Sequence, residues 1–292
     1  MSFELENEKI RITVDAKGGE LKSLYEKVSG QEYIWQGDEQ YWEDSSPNLF
    51  PYIARLTKNT YLYQGKQYHM SIHGFVKDMV LTGEKLLNEL VFELKSNEDT
   101  LKCYPFQFIY RIRYTLEETA LIITYEVENL DQERMYFGIG GHPGFNVPFI
   151  KNTAFEDYYI EFDSDESPVR IKMSPDCFVV GEEAFDKINH RKLELSHQLF
   201  DDDAIILREM GKKVVLKTAK SHQNITMAFP DMDYLGIWHA PCTKAPYICI
   251  EPWSSLPSRK DIIEDLAKQE DLIGLNAGEV YQNRWSISVC PN

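Results

Sequence analysis

Cysteine is scarce and unpatterned in this chain. Cys103, Cys177, Cys242, Cys249 and Cys290 are odd in number and have no C-x-x-C spacing. That argues against a disulfide framework and reads as scattered buried thiols of a reduced, cytoplasmic protein. Long apolar runs are also missing, so no segment has the length of a membrane span. The opening residues, Met1-Ser2-Phe3-Glu4-Leu5-Glu6-Asn7-Glu8, are acidic and lack the apolar stretch of a secretory signal. Basic residues are in deficit: 31 Lys and Arg against 47 Asp and Glu give a formal charge of −16. Such a surface repels nucleic acid and anionic membrane, and neither is an expected partner. Helical periodicity is sparse as well. The fair candidate is Arg259–Leu272, with Ile262, Ile263 and Leu266 on one side and Ser258 as N-cap.

Several catalytic signatures are absent. Gly138-Ile139-Gly140-Gly141-His142-Pro143 has proline where a dinucleotide fingerprint needs its third glycine, and no helix follows. There is no P-loop and no G-x-S-x-G nucleophile elbow. His69 and His73 have i, i+4 spacing, but their segment is not helical and lacks H-E-x-x-H, which argues against zinc there. The acidic groups Asp157, Glu161, Asp163, Asp165, Glu166 and Asp201-Asp202-Asp203 read as solvated loops, not metal sites.

What the chain has in quantity is period-two alternation. Phe106, Phe108, Tyr110, Ile112, Tyr114 and Leu116 alternate with Gln107, Ile109, Arg111, Arg113 and Thr115 and predict a long half-buried strand. Leu121, Ile123, Tyr125 and Val127 predict its hairpin partner across Glu117-Glu118-Thr119. Shorter strands are expected at Ile10–Val14, Leu90–Lys95, Val214–Lys217, Ile225–Phe229, Tyr247–Ile250 and Ser286–Val289. Hydrophobic residues at 43% of the chain are enough for a large core and exclude disorder. Strands are not interleaved with helices, which disfavours a parallel doubly wound sheet. No linker or repeat divides the chain. The expectation is all-β: a single large antiparallel β-sandwich over residues 1–292, with few short helices.

Chemistry concentrates in three motifs: Ser71-Ile72-His73-Gly74-Phe75, Gly141-His142-Pro143-Gly144-Phe145 and Tyr247-Ile248-Cys249-Ile250-Glu251-Pro252-Trp253. A carboxylate ending an apolar run between Ile and Pro-Trp is expected to be desolvated, with a raised pKa. Imidazoles on glycine-rich turns can be aimed at a ligand. Either histidine alone reads as a loop residue bonded to backbone; both together, upstream of such a glutamate, point to function, and a carboxylate facing imidazoles is what proton transfer on a sugar requires. Arg55 suits either a structural ion pair or a planar donor to adjacent sugar hydroxyls. Trp238 and Trp253 read first as core, with Trp238 kept as a candidate sugar contact.

Across these motifs the sequence resembles the aldose 1-epimerase (galactose mutarotase-like) family, and within it the lactose-operon-associated branch of galactose mutarotase-related proteins. The resemblance runs in order through Asn48–Leu56, Ile72–Asp78, Gly141–Pro148, Asp203–Leu207, Gly236–Pro241 and Ile248–Trp253. It implies a β-sandwich with a sugar in a cleft on one sheet, Glu251 as general base and His142 as general acid. It further implies His73, Arg55, Asn48 and Asp203 as substrate-binding residues, with Asp202 the alternative to Asp203. The Asn-Arg pair and second-motif Asn-His element of hexose mutarotases are absent. His73-Gly74-Phe75 followed by Lys77 resembles the sugar-phosphate epimerase branch instead, so Lys77 is a candidate phosphate contact. The resemblance implies interconversion of aldose anomers without metal or organic cofactor, in a monomer or homodimer. A hexose-6-phosphate 1-epimerase and a non-catalytic sugar-binding protein are the alternatives.

Overall fold

The alternating segments become strands because their inward residues meet across the ladders in register. In the computed structural model, which describes residues 1–290, Phe108–Glu117 pairs with Ala120–Asn129. Tyr110 lies opposite Val127, Ile112 opposite Tyr125, Tyr114 opposite Ile123 and Leu116 opposite Leu121. These are the residues predicted to face inward, and all but the partly buried Leu116 are buried. Arg111, on the opposite face, pairs with Glu93 and Glu126 in water-facing positions.

The hairpin sits within a nine-stranded antiparallel sheet. Its order is Lys192–Glu194, Tyr158–Phe162, Lys213–Thr218, Asn224–Ala228, Val280–Cys290, Ala120–Asn129, Phe108–Glu117, Glu89–Lys95, Thr82–Lys85. An eight-stranded sheet runs Val179–Ala184, Val169–Met173, Ile205–Arg208, Tyr234–Trp238, Tyr247–Trp253, Gly140–Gly141, Asn48–Leu49, and Gly144–Asn146 also pairs with Tyr247–Trp253. A four-stranded sheet over Ser2–Glu6, Ile10–Asp15, Glu20–Glu26 and Gln31–Glu32 completes the larger layers. The fold is an antiparallel β-sandwich. One apolar cluster joins Tyr110, Tyr125, Trp285 and Ile287 of the larger sheet to Leu207, Leu235, Ile237, Ile248 and Ile250 of the smaller.

Strand Tyr247–Trp253 is buried along its whole length. Ile248 and Ile250 point into the main core, whereas Tyr247, Cys249 and Trp253 point to the other face and join two separate apolar clusters there. A strand covered on both faces reads as an almost continuous apolar run. Glu251 is its one charged residue and shares the face of Cys249 and Trp253.

The helix expected over Arg259–Leu272 does not form. That segment is irregular, and its backbone pairs with the edge of another element: Leu62 N donates to Glu264 O, and Leu266 N donates to Leu62 O. Ser258 caps nothing helical; its hydroxyl bonds Thr57 and Ile262 O. Buried Glu264 accepts from the Arg259 backbone and guanidinium. Tertiary backbone pairing has overridden local helical spacing. Among the described residues, α-helix is confined to Glu98–Cys103, where Asn97 and Thr100 form a capping box, and no helix is long and apolar enough to cross a membrane.

Candidate active site

The register of the short strands around Tyr247–Trp253 assembles the site. Gly140 lies opposite Trp253, and Gly144 lies opposite Cys249. Continued through the break between them, this register brings His142 level with Glu251, where cross-strand side chains meet. The break has a local cause: Pro143 lacks an N–H for the ladder. A Cβ on Gly141 would lie 2.5 Å from the Trp285 ring, so only glycine lets the backbone settle there. His142 is fixed by its backbone N–H, which donates to Pro47 O at 3.0 Å. As a result His142 Nε2 stands 3.2 Å from Glu251 Oε2.

A second imidazole approaches from another turn. His73 has φ of 66° and Gly74 φ of 77°, and a Cβ on Gly74 would come within 2.1 Å of Phe50 O. This left-handed pair is locked by His73 N donating to Ala54 O and Ala54 N donating to His73 Nδ1. The second bond makes Nδ1 an acceptor, which leaves the ring proton on Nε2. The His73 and His142 rings meet edge to face, 5.4 Å apart.

These residues line a cleft of about 500 Å³ on the outer face of the eight-stranded sheet. Arg55, Lys77, Asp203 and Trp238 share its wall, so these predicted residues come together with His73, His142 and Glu251, and Trp253, read as core, lines the cleft too. Lys77 also contacts Asp78 at 3.3 Å. Of the two candidate aspartates, Asp203 faces the cleft and Asp202 lines the neighbouring depression instead.

Asn48 is the exception and is withdrawn as a substrate contact. It is buried, and its amide nitrogen donates to Gly18 O, Gly19 O and Tyr114 Oη, while its oxygen accepts from Tyr125 Oη. Every polar position of the side chain is thus engaged within the sandwich. Asn48→Ala is expected to cost about 2–4 kcal/mol of stability, since it strands buried carbonyls and hydroxyls, with sugar affinity of the folded fraction unchanged. Denaturant unfolding checks this; lost affinity at unchanged stability would return Asn48 to the cleft.

Comparison with known proteins places the chain in a family. A sequence model described as aldose 1-epimerase matches residues 1–288. The chain belongs to the aldose 1-epimerase family. It is 32% identical to the chromosomal protein LacX of Lactococcus lactis subsp. lactis, covering 96% of this chain and 97% of that one. Among solved structures it is similar to a galactose mutarotase related enzyme from Lactobacillus acidophilus (33% identity, 100% and 98% of the two chains, TM-score 0.94). A galactose mutarotase-like protein from Lactobacillus casei is similar at 30% identity, 99% and 100% coverage and the same TM-score of 0.94. Membership in the aldose 1-epimerase family makes the chain an isomerase-type protein acting on carbohydrates.

Electrostatics in this aldose 1-epimerase cleft are governed by burial. Desolvation, reinforced by Asp203, pushes the Glu251 carboxyl well above the ordinary carboxylate range. Desolvation pushes the His142 imidazole down to about 3. His73 is also held well below the usual histidine range, first by burial and then by His142. Burial thus favours the uncharged form of both groups, protonated for Glu251 and unprotonated for His142. Glu251 Oε2, His142 Nδ1 and Trp253 Nε1 are buried without a well-aligned hydrogen-bond partner, although Oε2 lies 3.2 Å from His142 Nε2 and the Trp253 indole is near enough to temper the Glu251 shift. Orphaned polar atoms converging on a cleft are the mark of a ligand site.

Sequence reasoning missed part of the wall. Trp42 packs over His142 with ring centroids 4.9 Å apart, and meets Trp238 edge-on at 5.7 Å. Its signal was an aromatic in an irregular acidic stretch, Tyr41-Trp42-Glu43-Asp44, with no strand to bury it. Cys177 also lines the cleft, and its thiol donates to Asp203 Oδ2 at 2.8 Å. Burial, then that bond, raises the thiol to about 11. Nothing in its sequence neighbourhood announced this contact.

Proposed function

We propose that this protein interconverts the α and β anomers of a neutral aldose. The observation that carries the reading is the 3.2 Å contact between His142 Nε2 and Glu251 Oε2 at the buried end of the cleft. Ring opening needs one group that takes a proton and one that gives a proton, and the pair holds one proton between two sites. In the resting pair the proton lies on Glu251, the side favoured by burial. Its passage to His142 creates a carboxylate base and an imidazolium acid together.

Glu251 then removes the C1 hydroxyl proton while His142 protonates the ring oxygen. The C1–O5 bond breaks, and the new C1 carbonyl rotates about C1–C2. Reclosure with the proton movements reversed gives the other anomer. Each such acid or base contributes about 10²–10⁴-fold. His73 Nε2–H, Arg55 and Asp203 supply hydrogen bonds to hydroxyls, and Trp42 and Trp238 offer flat faces to the C–H surface. No step calls for a metal or organic cofactor.

A sugar phosphate is the second reading, favoured by Lys77 and Arg55 on the same wall. Asp44 and Asp203 stand on that wall too, and Lys77 is paired with Asp78, so the cleft offers little net positive charge to a phosphate. NMR measurement of anomer exchange with free and 6-phosphorylated aldoses tests the choice. Faster exchange of the phosphate would overturn the neutral-sugar assignment. Saturable sugar binding without accelerated exchange would leave a binding protein.

The pH dependence follows from the directions of the two shifts. Unperturbed, a Glu–His pair holds one proton between about pH 4.3 and 6.5. Here His142 accepts a second proton only near 3, which moves the acid limb down, and the raised Glu251 gives up the last proton late, which moves the alkaline limb up. The rate should show a plateau wider than the ordinary interval, with both limbs displaced outward. A narrow bell between the unperturbed values would contradict a desolvated pair.

A further inference from the structure

We propose that the floor of the cleft is also an inhibitory site for a soft or borderline divalent cation such as zinc, ligated by His142, Cys249 and Glu251. This rests on the reading of Glu251 and His142 as the proton-transfer pair. Cys249 and Glu251 are two residues apart on one strand and therefore share a face, and His142 arrives level with Glu251 from the neighbouring strand. One ligand atom from each of the three, all buried, lies within 4.8 Å of the others.

The distances suit a small cation. Zinc bound at about 2.0–2.3 Å to nitrogen, oxygen and sulfur in a tetrahedron holds its ligands about 3.2–3.6 Å apart. His142 Nε2 and Glu251 Oε2 are already at 3.2 Å. Cys249 Sγ needs to close by little more than about 1 Å, within reach of a side-chain rotation.

Charge favours the same class of ion. A thiolate, a carboxylate and a neutral imidazole around a dication sum to zero, which a buried site tolerates far better than any net charge. On binding, the Cys249 thiol proton and the proton shared by Glu251 and His142 leave to solvent. The mixed sulfur, nitrogen and oxygen set selects zinc-like ions over magnesium or calcium, which take oxygen ligands. His142 and Glu251 line the cleft and give an ion its way in, while Cys249 packs beside them in the apolar cluster of Trp35 and Tyr247. The bound cation occupies the carboxylate lone pair and the imidazole nitrogen that proton transfer needs, so it stops turnover and competes with the sugar.

The test uses the full chain in chelator-treated buffer. Cobalt(II) should produce a thiolate-to-metal absorption band that one equivalent of zinc bleaches. Anomer exchange should be inhibited by zinc in competition with sugar. Cys249→Ser and Cys249→Ala, with folding checked by circular dichroism, should keep metal-free exchange, lose the band and need more than about 100-fold more zinc for inhibition. Zinc-edge X-ray absorption of the wild type requires no variant, and should show one sulfur at about 2.3 Å with nitrogen and oxygen at about 2.0–2.2 Å. Absence of sulfur in that spectrum overturns the proposal, as does a cobalt band that survives in Cys249→Ser. Equal zinc sensitivity of the variants and wild type does so too. A wild type with the cobalt band and zinc sulfur shell but no exchange on any aldose upholds the metal site and rejects the catalytic reading instead.

Discussion

Glu251→Gln should abolish most anomer exchange while leaving the sugar bound. The amide keeps the size of the side chain and cannot accept the C1 hydroxyl proton, so turnover should fall by about 10²–10⁴-fold. KM should barely move, the pattern of an interaction made only in the transition state. Folding should survive, because burial already favours the uncharged form of Glu251 and glutamine is uncharged. NMR exchange spectroscopy on protein with a native circular dichroism spectrum measures this. Near-wild-type turnover in that protein would remove Glu251 from the role of base.

His142→Gln is expected to lose a similar factor, about 10²–10⁴-fold, through the missing acid at the ring oxygen. Its neighbours make the interpretation clean. Trp42 packs at a tilt against the imidazole and the backbone is held by Pro47, so a side chain of similar reach can occupy the space without reshaping the turn. Once either partner is gone the pair has no route for its proton. The double variant Glu251→Gln/His142→Gln should therefore cost less than the two single losses combined. Full additivity of the two losses in free energy would mean that the groups act on separate steps.

The strand framework was legible because alternation is a direct record of which face is wet. Tyr110, Ile112, Tyr125 and Val127 were assigned inward from spacing alone, and the ladder sets them side by side. Glu251 was legible for the converse reason: a charge inside a continuous apolar run conflicts with its surroundings. Arg259–Leu272 misled because three apolar residues at helical spacing carry no information about a distant backbone, and Leu62 claims the hydrogen bonds a helix would have used. Asn48 misled differently. Its motif places it beside the cleft in sequence, yet its side chain turns inward to two tyrosines and two glycine carbonyls. The Cys177–Asp203 contact joins residues 26 positions apart and depends on how two loops meet, which no local pattern encodes.

His73, Cys177 and Asp203 all have left-handed backbone, with φ of 66°, 65° and 76°, whereas Glu251 sits in a strand buried along its whole length. These three wall residues are thus carried on bends, and the proposed base is carried on a strand covered on both faces. Bends tolerate insertion and replacement; a doubly covered strand does not. Descent within such a scaffold can exchange the rim, and with it the preferred sugar, while the pair at 3.2 Å stays as it is. On the proposed reading, recognition sits on the replaceable part of the fold and the proton chemistry on its fixed part.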